Sequence, residues 1–415
     1  MPLTAKNYDV IVIGGGASGM MAGGRAAERG KSVLLIEKNR SLGKKLNITG
    51  GGRCNITNAE FDVRALLKHY GQSEKFLHSP FSQFGVQSTF DFFAAHGLPL
   101  TVEDRKRAFP ITHKATDVTK VLEGYVHKGH VEVLANAIVK ELEVRDGLIT
   151  SVCTSRGTYT ASNYVVATGG ASHPETGSTG DAFSWLQSLG HTIIPPTPTL
   201  VPLRVRDAWI KKLSGTTFPD AKITFFVDGK RAFAKRGRIL CTHFGLSGPV
   251  IINSAHLVHD LISGGTVTCA IDAFPDTDFA DLEKRVLAAI EANKNKHFKN
   301  VVDTIVPAGL SSTYASLLNL SDTSLKAHSL TKEERKKFVH VLKAAPVTIE
   351  GLMGYDRAIV SDGGVPLTEV DTRTMHSLKI PNLLLIGDIL NINRPSGGYS
   401  LQLCWTTGYV AGSSV

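Results

Sequence analysis

The residues best suited to chemistry begin with Gly14-x-Gly16-x-x-Gly19, followed by Glu37 at the end of the next apolar run, 23 residues after Gly14. Glycines at this spacing suit a pyrophosphate. Gly14 allows a tight turn, Gly16 lets the backbone approach phosphate oxygens, and Gly19 lets the following helix close on the preceding strand. Ala17 and Ser18 lie in the turn that opens the following helix, whose free N–H groups and positive end face the phosphates. Glu37 suits ribose hydroxyls, and its charge repels a 2′-phosphate, which disfavours NADP at this position. A second cluster, Gly50-Gly51-Gly52, runs into Arg53-Cys54-Asn55. Its bare backbone suits close approach to a flat ligand. Cys54 invites a redox role, but one thiol without a partner reads more readily as a packed small residue. These features call for a dinucleotide cofactor, NAD or FAD.

The elements that must position these residues follow from local pattern. Tyr8–Ile13 is a β-branched apolar run, as expected of a strand buried on both faces. A small-residue helix, Met20–Glu28, stops at Gly30, and Ser32–Ile36 is the second strand of a βαβ unit. Residues 61–130 read as mostly helical, with a turn around Phe109-Pro110. Val131–Leu134 and Ala137–Glu143 alternate like strands, and Asp146-Gly147 signals a hairpin. Tyr164–Ala167 is a buried strand running into Thr168-Gly169-Gly170, and Asn382–Ile386 is another running into Gly387-Asp388. Leu401–Ala411 is predicted as a helix. The proline cluster Pro195-Pro196-Thr197-Pro198 marks a domain crossing. Beyond it come short strands and then charged helical sequence. The expected division is a two-part cofactor domain (1–192 and 366–415), a mainly-β insert (193–275 and 345–365) and a helical subdomain (276–344).

Further segments decide between the cofactors. The continued spacing Gly19-x3-Gly23-x6-Gly30 is similar to the extended FAD-type motif. Val131–Leu142 resembles the strand pair beneath the adenine in such proteins, with Val139 as the backbone contact. Thr168-Gly169-Gly170 resembles the second glycine motif of flavoproteins with two dinucleotide-binding domains. Gly387-Asp388 resembles the end of their late strand, whose carboxylate meets the ribityl–phosphate region.

More specific is Thr49-Gly50-Gly51-Gly52-Arg53-Cys54-Asn55-Ile56-Thr57-Asn58, which resembles the signature of the YhiN-like flavoproteins, the BaiN/RdsA group of NAD(P)/FAD-dependent oxidoreductases that includes aminoacetone oxidase-like enzymes. Four more blocks fit in order: Arg107–Pro110 with Lys114-Ala115, Gly169–Pro174 with Thr176–Asp181, Thr242–Pro249, and Gly397–Gln402. Three positions depart from the group's usual pattern: Asp388 replaces Glu, Asn391–Arg394 replaces an acidic D-x-D-G run, and Ser400 replaces Asn. The resemblance implies an α/β Rossmann-like FAD-binding domain with an inserted mainly-β domain and a helical subdomain.

The expected FAD cradle comprises Gly14, Gly16, Ala17, Ser18, Gly19, Glu37, Lys38, Lys44, Gly51, Gly52, Arg53, Cys54, Asn55, Val139, Thr168, Gly169, Gly170, Gly387, Asp388, Gly397, Gly398, Tyr399 and Leu401. Lys44, with Arg40 and Lys45, is placed on the pyrophosphate or adenosine side, although any one of them taken singly reads more readily as a solvated surface cation. Asn55 or Asn58 would bond the ring's polar edge. Gly397-Gly398 would aim N–H groups and a positive helix end at the charge of a reduced flavin. Catalytic candidates are Arg53, His173 and Tyr399, with the substrate over the flavin between residues 49–58, His173, Gly397–Tyr399 and the insert. Arg53 reads equally as a structural ion pair, Tyr399 nearly as well as core, and His173, like His243, more readily as a hydrogen-bonded structural histidine.

Composition narrows the classes. The chain has 415 residues, 40 of them glycine, and a net charge of 46 − 37 = +9 without long basic runs. A small-molecule substrate is expected, with no nucleic acid and no membrane partner. The oligomeric state is not legible. Five scattered cysteines, none in C-x-x-C or paired metal-ligand spacing, argue against a disulfide framework and a dithiol reductase, and no metal is expected. Without a signal-like N-terminus or an apolar run approaching a membrane span, the expected location is the cytoplasm. No second Gly-x-Gly-x-x-Gly precedes a helix, so NAD(P)H, as a possible transient donor, must visit the flavin. The leading expectation is an FAD-dependent reductase or dehydrogenase fed by NAD(P)H, acting on an unsaturated or carbonyl small molecule. The alternatives are an FAD-dependent amine oxidase producing hydrogen peroxide and a non-catalytic or RNA-associated flavoprotein.

Overall fold

The computed structural model describes residues 7–306, 309–318 and 325–415, so the reading of Met1–Lys6 lies outside the described residues. The chain divides into two compact units, Met1–Pro198 with Ala358–Val415, and Thr199–Arg357.

In the first unit, β1 (Asn7–Ile13), α1 (Ala17–Glu28) and β2 (Val33–Ile36) form the βαβ unit. Then come β3 (Glu132–Leu134), β4 (Val139–Arg145), β5 (Leu148–Thr154) and β6 (Gly157–Val166). After the insert follow β7 (Leu383–Leu385) and α2 (Tyr399–Ser414). The sheet order is β3-β2-β1-β6-β5-β4, with β7 paired to β6. β3, β2, β1, β6 and β7 are parallel neighbours, while β4, β5 and the start of β6 form an antiparallel meander.

The apolar runs of β1 and β2 are continuous because both faces are covered. Ile11, Ile13, Leu34 and Ile36 enter one core, and Val10, Val12, Val33 and Leu35 the other. On the second face α2 lies directly on α1. A Cβ at Gly408 would stand 2.5 Å from the Ser18 carbonyl oxygen, so this crossing needs a bare backbone. The parallel strands β1, β2, β6 and β7 therefore deliver their glycine-rich and acidic loops to one sheet edge, where ligands of open α/β sheets bind.

One local expectation is corrected. Phe109-Pro110 is the end of a strand, Arg107–Pro110, within a small antiparallel sheet with Thr57–Asn58 and Leu100–Glu103. Pro110 is tolerated because Thr57–Asn58 pairs only as far as Ala108, so no ladder hydrogen bond is needed from it on that side.

A buried polar relay ties the segment leaving the first part of this unit to the returning one. His191 Nδ1 lies 2.7 Å from Glu369 Oε2, and its Nε2 lies 2.9 Å from Ser377 Oγ. Ser377 Oγ already accepts from the N–H groups of Lys379 and Ile380. Its own proton therefore goes to His191 Nε2, which leaves Nδ1–H to donate to Glu369. Lys379 Nζ closes the relay on Glu369 Oε1 at 2.8 Å.

The second unit is a closed barrel of six strands in the order Leu203–Val205, Gly245–Ser247, Lys230–Cys241, Thr217–Val227, Val267–Asp272 and Ala345–Leu352. Alternating residues such as Phe218, Ile223, Phe225, Cys269 and Ile271 point inward. They share one core with the helices Phe279–Ala292 and Lys332–Lys343.

Candidate functional site

The site starts at the β1–α1 turn. Gly14 has φ +108°, and a Cβ at Gly19 would lie 1.9 Å from the Gly14 carbonyl oxygen, so the turn closes only with glycine there. Gly16 is the helix cap, with no side-chain capping bond and nothing within 4 Å of where its Cβ would be. The first N–H groups of α1, from Ala17 onward, are thus free of a side-chain cap and approachable, as a phosphate requires. Glu37 is buried at the end of β2. Its Oε2 accepts from Gly15 N–H at 2.8 Å, and its Oε1 from Asn39 N–H and Nδ2 at 2.7 Å. Glu37 therefore fixes the glycine turn and keeps lone pairs that these bonds do not use. Val139 begins β4 two residues after Ala137, whose N–H bonds the Glu37 carbonyl at 3.0 Å. That places it near the same strand end.

At the neighbouring strand ends, Thr168-Gly169-Gly170 follows β6, and Gly387-Asp388 follows β7. Gly170 is packed so closely that a Cβ would meet Ser361 Oγ at 2.2 Å and the Asp388 carbonyl at 3.3 Å. Gly387 stands against Ser18 of α1. The structure thus brings the elements of the expected cradle into one neighbourhood. Lys38 and Lys44 are occupied: Lys38 Nζ bonds Thr179 Oγ1 at 2.6 Å and Asp181 Oδ2 at 2.7 Å, and Lys44 Nζ bonds the Glu175 carbonyl at 2.7 Å.

Gly50, Gly51 and Gly52 have left-handed φ angles, and so does Cys54, with Arg53 between them in the right-handed region. Cys54 is fully buried, and burial pushes its thiol up to about 12. It shapes the loop rather than presenting a thiolate. Asn55 and Asn58 turn inward. With its carboxamide oriented to suit its neighbours, Asn55 donates to the Thr57 and Ala108 carbonyls and accepts from Gly398 N–H at 3.0 Å. Asn58 Nδ2 bonds the Arg105 and Gly397 carbonyls, each at 3.2 Å. Both asparagines therefore brace the Gly397-Gly398 loop. A Cβ at Gly398, which has φ +102°, would lie 2.2 Å from the Thr57 carbonyl carbon. Gly398 caps α2 without a side-chain capping bond, so this helix too presents its positive end.

Arg53 is held by Glu103 and by His113 Nδ1 at 2.8 Å, with its guanidinium 4.2 Å from the Phe109 ring centroid. His173 has φ +54° and lies 2.8 Å from Glu175 Oε1. Tyr399 is buried. Its ring packs on His69 and Tyr70, 4.9 and 5.9 Å between centroids, and its carbonyl accepts from Tyr70 at 2.9 Å. Leu401 packs against the second core. Arg53 and His173 are thus braced by neighbouring carboxylates, and Tyr399 is built into the core.

A cluster that sequence reasoning did not assemble sits at the ends of β6 and β7. Arg394 is fully buried and directs Nη2 to Asp388, Nη1 to the Ile392 carbonyl at 2.6 Å and Nε to Ser400 Oγ at 3.1 Å. On the other side of Asp388, Lys45 Nζ stands 3.8 Å from Oδ2 and bonds Ser172 Oγ at 2.9 Å. The signal available in sequence was the departure at Asn391–Arg394 and Ser400.

Residues 8–414 match the family described as HI0933-like protein Rossmann domain. The chain belongs to this family. As an HI0933-like protein it is an FAD-dependent oxidoreductase, and the two uncapped helix ends, bare turns and strand-end carboxylates fit that cofactor. Its relatives include the 3-dehydro-bile acid delta(4,6)-reductase of Clostridium scindens, 30% identical over 406 residues and covering 97% of each chain. The ribosomal RNA dihydrouridine synthase of Escherichia coli is 27% identical over 409 residues, again covering 97% of each chain. Among solved structures, the 3-ketosteroid-delta4-(5alpha)-dehydrogenase of Rhodococcus jostii RHA1 superposes with a TM-score of 0.55 at 15% identity, covering 98% of this chain and 96% of that one. This last likeness concerns the fold. Among the described residues, no helix of the HI0933-like protein is long and apolar enough to cross a membrane.

Proposed function

We propose that this HI0933-like enzyme is a reductase that takes hydride from NAD(P)H and delivers it to an unsaturated or carbonyl-bearing small molecule. The observation that carries this reading is that a relative named as a reductase of a small unsaturated molecule, the bile acid reductase, aligns over nearly the whole chain, cofactor unit and insert together. Bound FAD supplies the hydride-accepting and hydride-donating centre. The chain's own residues bind and orient it. The α1 N-terminus and Gly16 would receive the pyrophosphate, Glu37 would bond the ribose, and the Gly397-Gly398 turn, braced by Asn55 and Asn58, would offer the α2 N-terminus to the ring. Among the described residues the second unit is a barrel with helices and carries no second dinucleotide turn, which favours donor and substrate using the flavin alternately.

A second reading, an RNA substrate, is favoured by one observation. The barrel strand Lys230–Cys241 carries Lys230, Arg231, Lys235, Arg236 and Arg238 and no acidic residue. Of these, Arg236 is already held by Asp220 and Asp276. Anaerobic reduction by NADH or NADPH, followed by mixing with an unsaturated 3-oxosteroid, a ribosomal RNA fragment, or aminoacetone in air, separates the readings. Reoxidation of NAD(P)H-reduced enzyme by the steroid supports the first, by RNA the second, and turnover of the amine with peroxide release the oxidase alternative.

A further inference from the structure

The Lys45–Asp388–Arg394 cluster has a use that FAD anchoring alone leaves out. Its members come from three places brought to one sheet edge: the loop after β2, the end of β7 and the approach to α2. Arg394 is spent internally, since its bonds go to Asp388, Ile392 and Ser400, and Ser400 lies in the first turn of α2. It joins the end of β7 to the helix start that the Gly397-Gly398 turn presents. Lys45 differs. Its Nζ bonds Ser172 Oγ at 2.9 Å and the Ser172 carbonyl at 3.4 Å, and its carboxylate neighbour is 3.8 Å away with the other oxygen taken by Arg394. One carboxylate is thus shared between two cations, and the Lys45 side chain keeps about a quarter of its surface accessible, 23%, where that of Arg394 has none. Burial pushes the Lys45 pKa down from its ordinary value, and Asp388 pulls it back. A further negative charge arriving beside it acts in the same direction as Asp388.

We infer that Lys45 is a redox-tuning residue, whose ammonium, pinned by Ser172 and only half-matched by Asp388, stabilises the negative charge that the flavin acquires on reduction. This rests on the FAD-dependent redox role and is independent of which substrate is reduced. Uptake of two electrons and one proton leaves the reduced ring with one negative charge. The electrons come from NAD(P)H in turnover or from dithionite in a titration. A fixed cation in a site of low dielectric favours that product over the neutral oxidised ring. Arg394 acts as a positioning residue: it keeps Asp388 and the α2 start in register and limits how much of the Asp388 charge Lys45 receives.

The test is the midpoint potential of the FAD-loaded protein, with FAD affinity measured in parallel. Lys45→Gln keeps hydrogen-bonding capacity and loses the charge. Lys45→Arg keeps the charge and controls for packing. The inference expects Lys45→Gln to disfavour the reduced form by about tenfold to a hundredfold, a fall of about 30–60 mV for a two-electron couple. Sulfite, which forms an anionic adduct with oxidised flavin, should bind it more weakly by a similar factor, while Lys45→Arg stays close to wild type in both. A Lys45→Gln protein that binds FAD more weakly at unchanged potential would make Lys45 a phosphate contact and overturn the inference. So would unchanged affinity and potential together. If a dithionite titration shows the Lys45→Gln shift while neither NADH nor NADPH reduces the wild-type flavin, the proposed donor fails and this inference stands.

Discussion

His191→Leu removes the centre of the polar relay between residues 191 and 369–379 and leaves a side chain of similar bulk. Two bonds disappear: the one to the ionised Glu369 carboxylate, worth about 1.5–3 kcal/mol, and the one from the Ser377 hydroxyl, worth about 0.5–1.5 kcal/mol. The expected loss is therefore about 2–4.5 kcal/mol at pH 7.5. Its pH dependence carries the sharper test. Burial pushes the His191 pKa below its ordinary 6.5, against the opposing pull of Glu369, so the folded ring stays neutral where the unfolded ring begins to protonate. A depressed folded pKa contributes stability that is present above 6.5 and lost as the pH falls through 6.5 toward the folded value, at about 1.4 kcal/mol for each pH unit between the unfolded and folded pKa. Burial also works on Glu369, but bonds from Lys379, Thr192 and His191 outweigh it and hold that carboxyl at about 2, so Glu369 stays ionised across this window. Urea midpoints of the FAD-loaded protein, followed by flavin fluorescence at pH 7.5 and pH 5, should show wild type and His191→Leu well apart at pH 7.5 and closer at pH 5. A gap that holds constant or widens on acidification refutes the relay as described.

Three further outcomes are expected. Glu37→Ala should weaken FAD binding roughly tenfold to a hundredfold, the equivalent of one charged-acceptor hydrogen bond of about 1.5–3 kcal/mol; an unchanged titration would remove Glu37 from the site. Gly398→Ala forces a Cβ to within 2.2 Å of the Thr57 backbone, so it should displace the α2 start and reduce flavin content or turnover at least tenfold, about 1.4 kcal/mol; wild-type values would show that the turn yields freely. Cys54→Ala should retain FAD and turnover, and native Cys54 should resist alkylation near neutral pH, because its thiol is buried and pushed up to about 12. Rapid labelling of Cys54 in the folded protein would contradict its placement.

The parts of the site that are readable in sequence are those built by neighbours in the chain. Gly14–Gly19 and Glu37 form one βαβ unit, so spacing alone carries their geometry. Asp388 is readable because a short apolar run ends on it. The missing parts are pairings across distance. Lys45 meets Asp388 across most of the chain, and His191 meets Ser377 across 186 positions, separations that leave no periodic trace. Side-chain direction is equally hidden. Residue type alone turns Asn55 and Asn58 toward the ring, but backbone carbonyls at Thr57, Ala108, Arg105 and Gly397 accept from their amides and draw them inward. The short strands after Pro198 announce a mainly-β insert, whereas closure of the barrel depends on Leu203–Val205 pairing with both Gly245–Ser247 and Ala345–Leu352. The strand at Arg107–Pro110 is masked by its proline.

The central claim is that one flavin site accepts hydride from NAD(P)H and passes it to an unsaturated or carbonyl acceptor. Its most direct test is a two-step anaerobic stopped-flow measurement on the purified, FAD-loaded protein, following flavin absorbance. The account predicts bleaching by NADH or NADPH, then recovery of the oxidised spectrum on adding an enone acceptor, with both half-reactions fast enough to support turnover. A flavin that neither nicotinamide cofactor bleaches, yet that aminoacetone reduces and oxygen reoxidises, would contradict it.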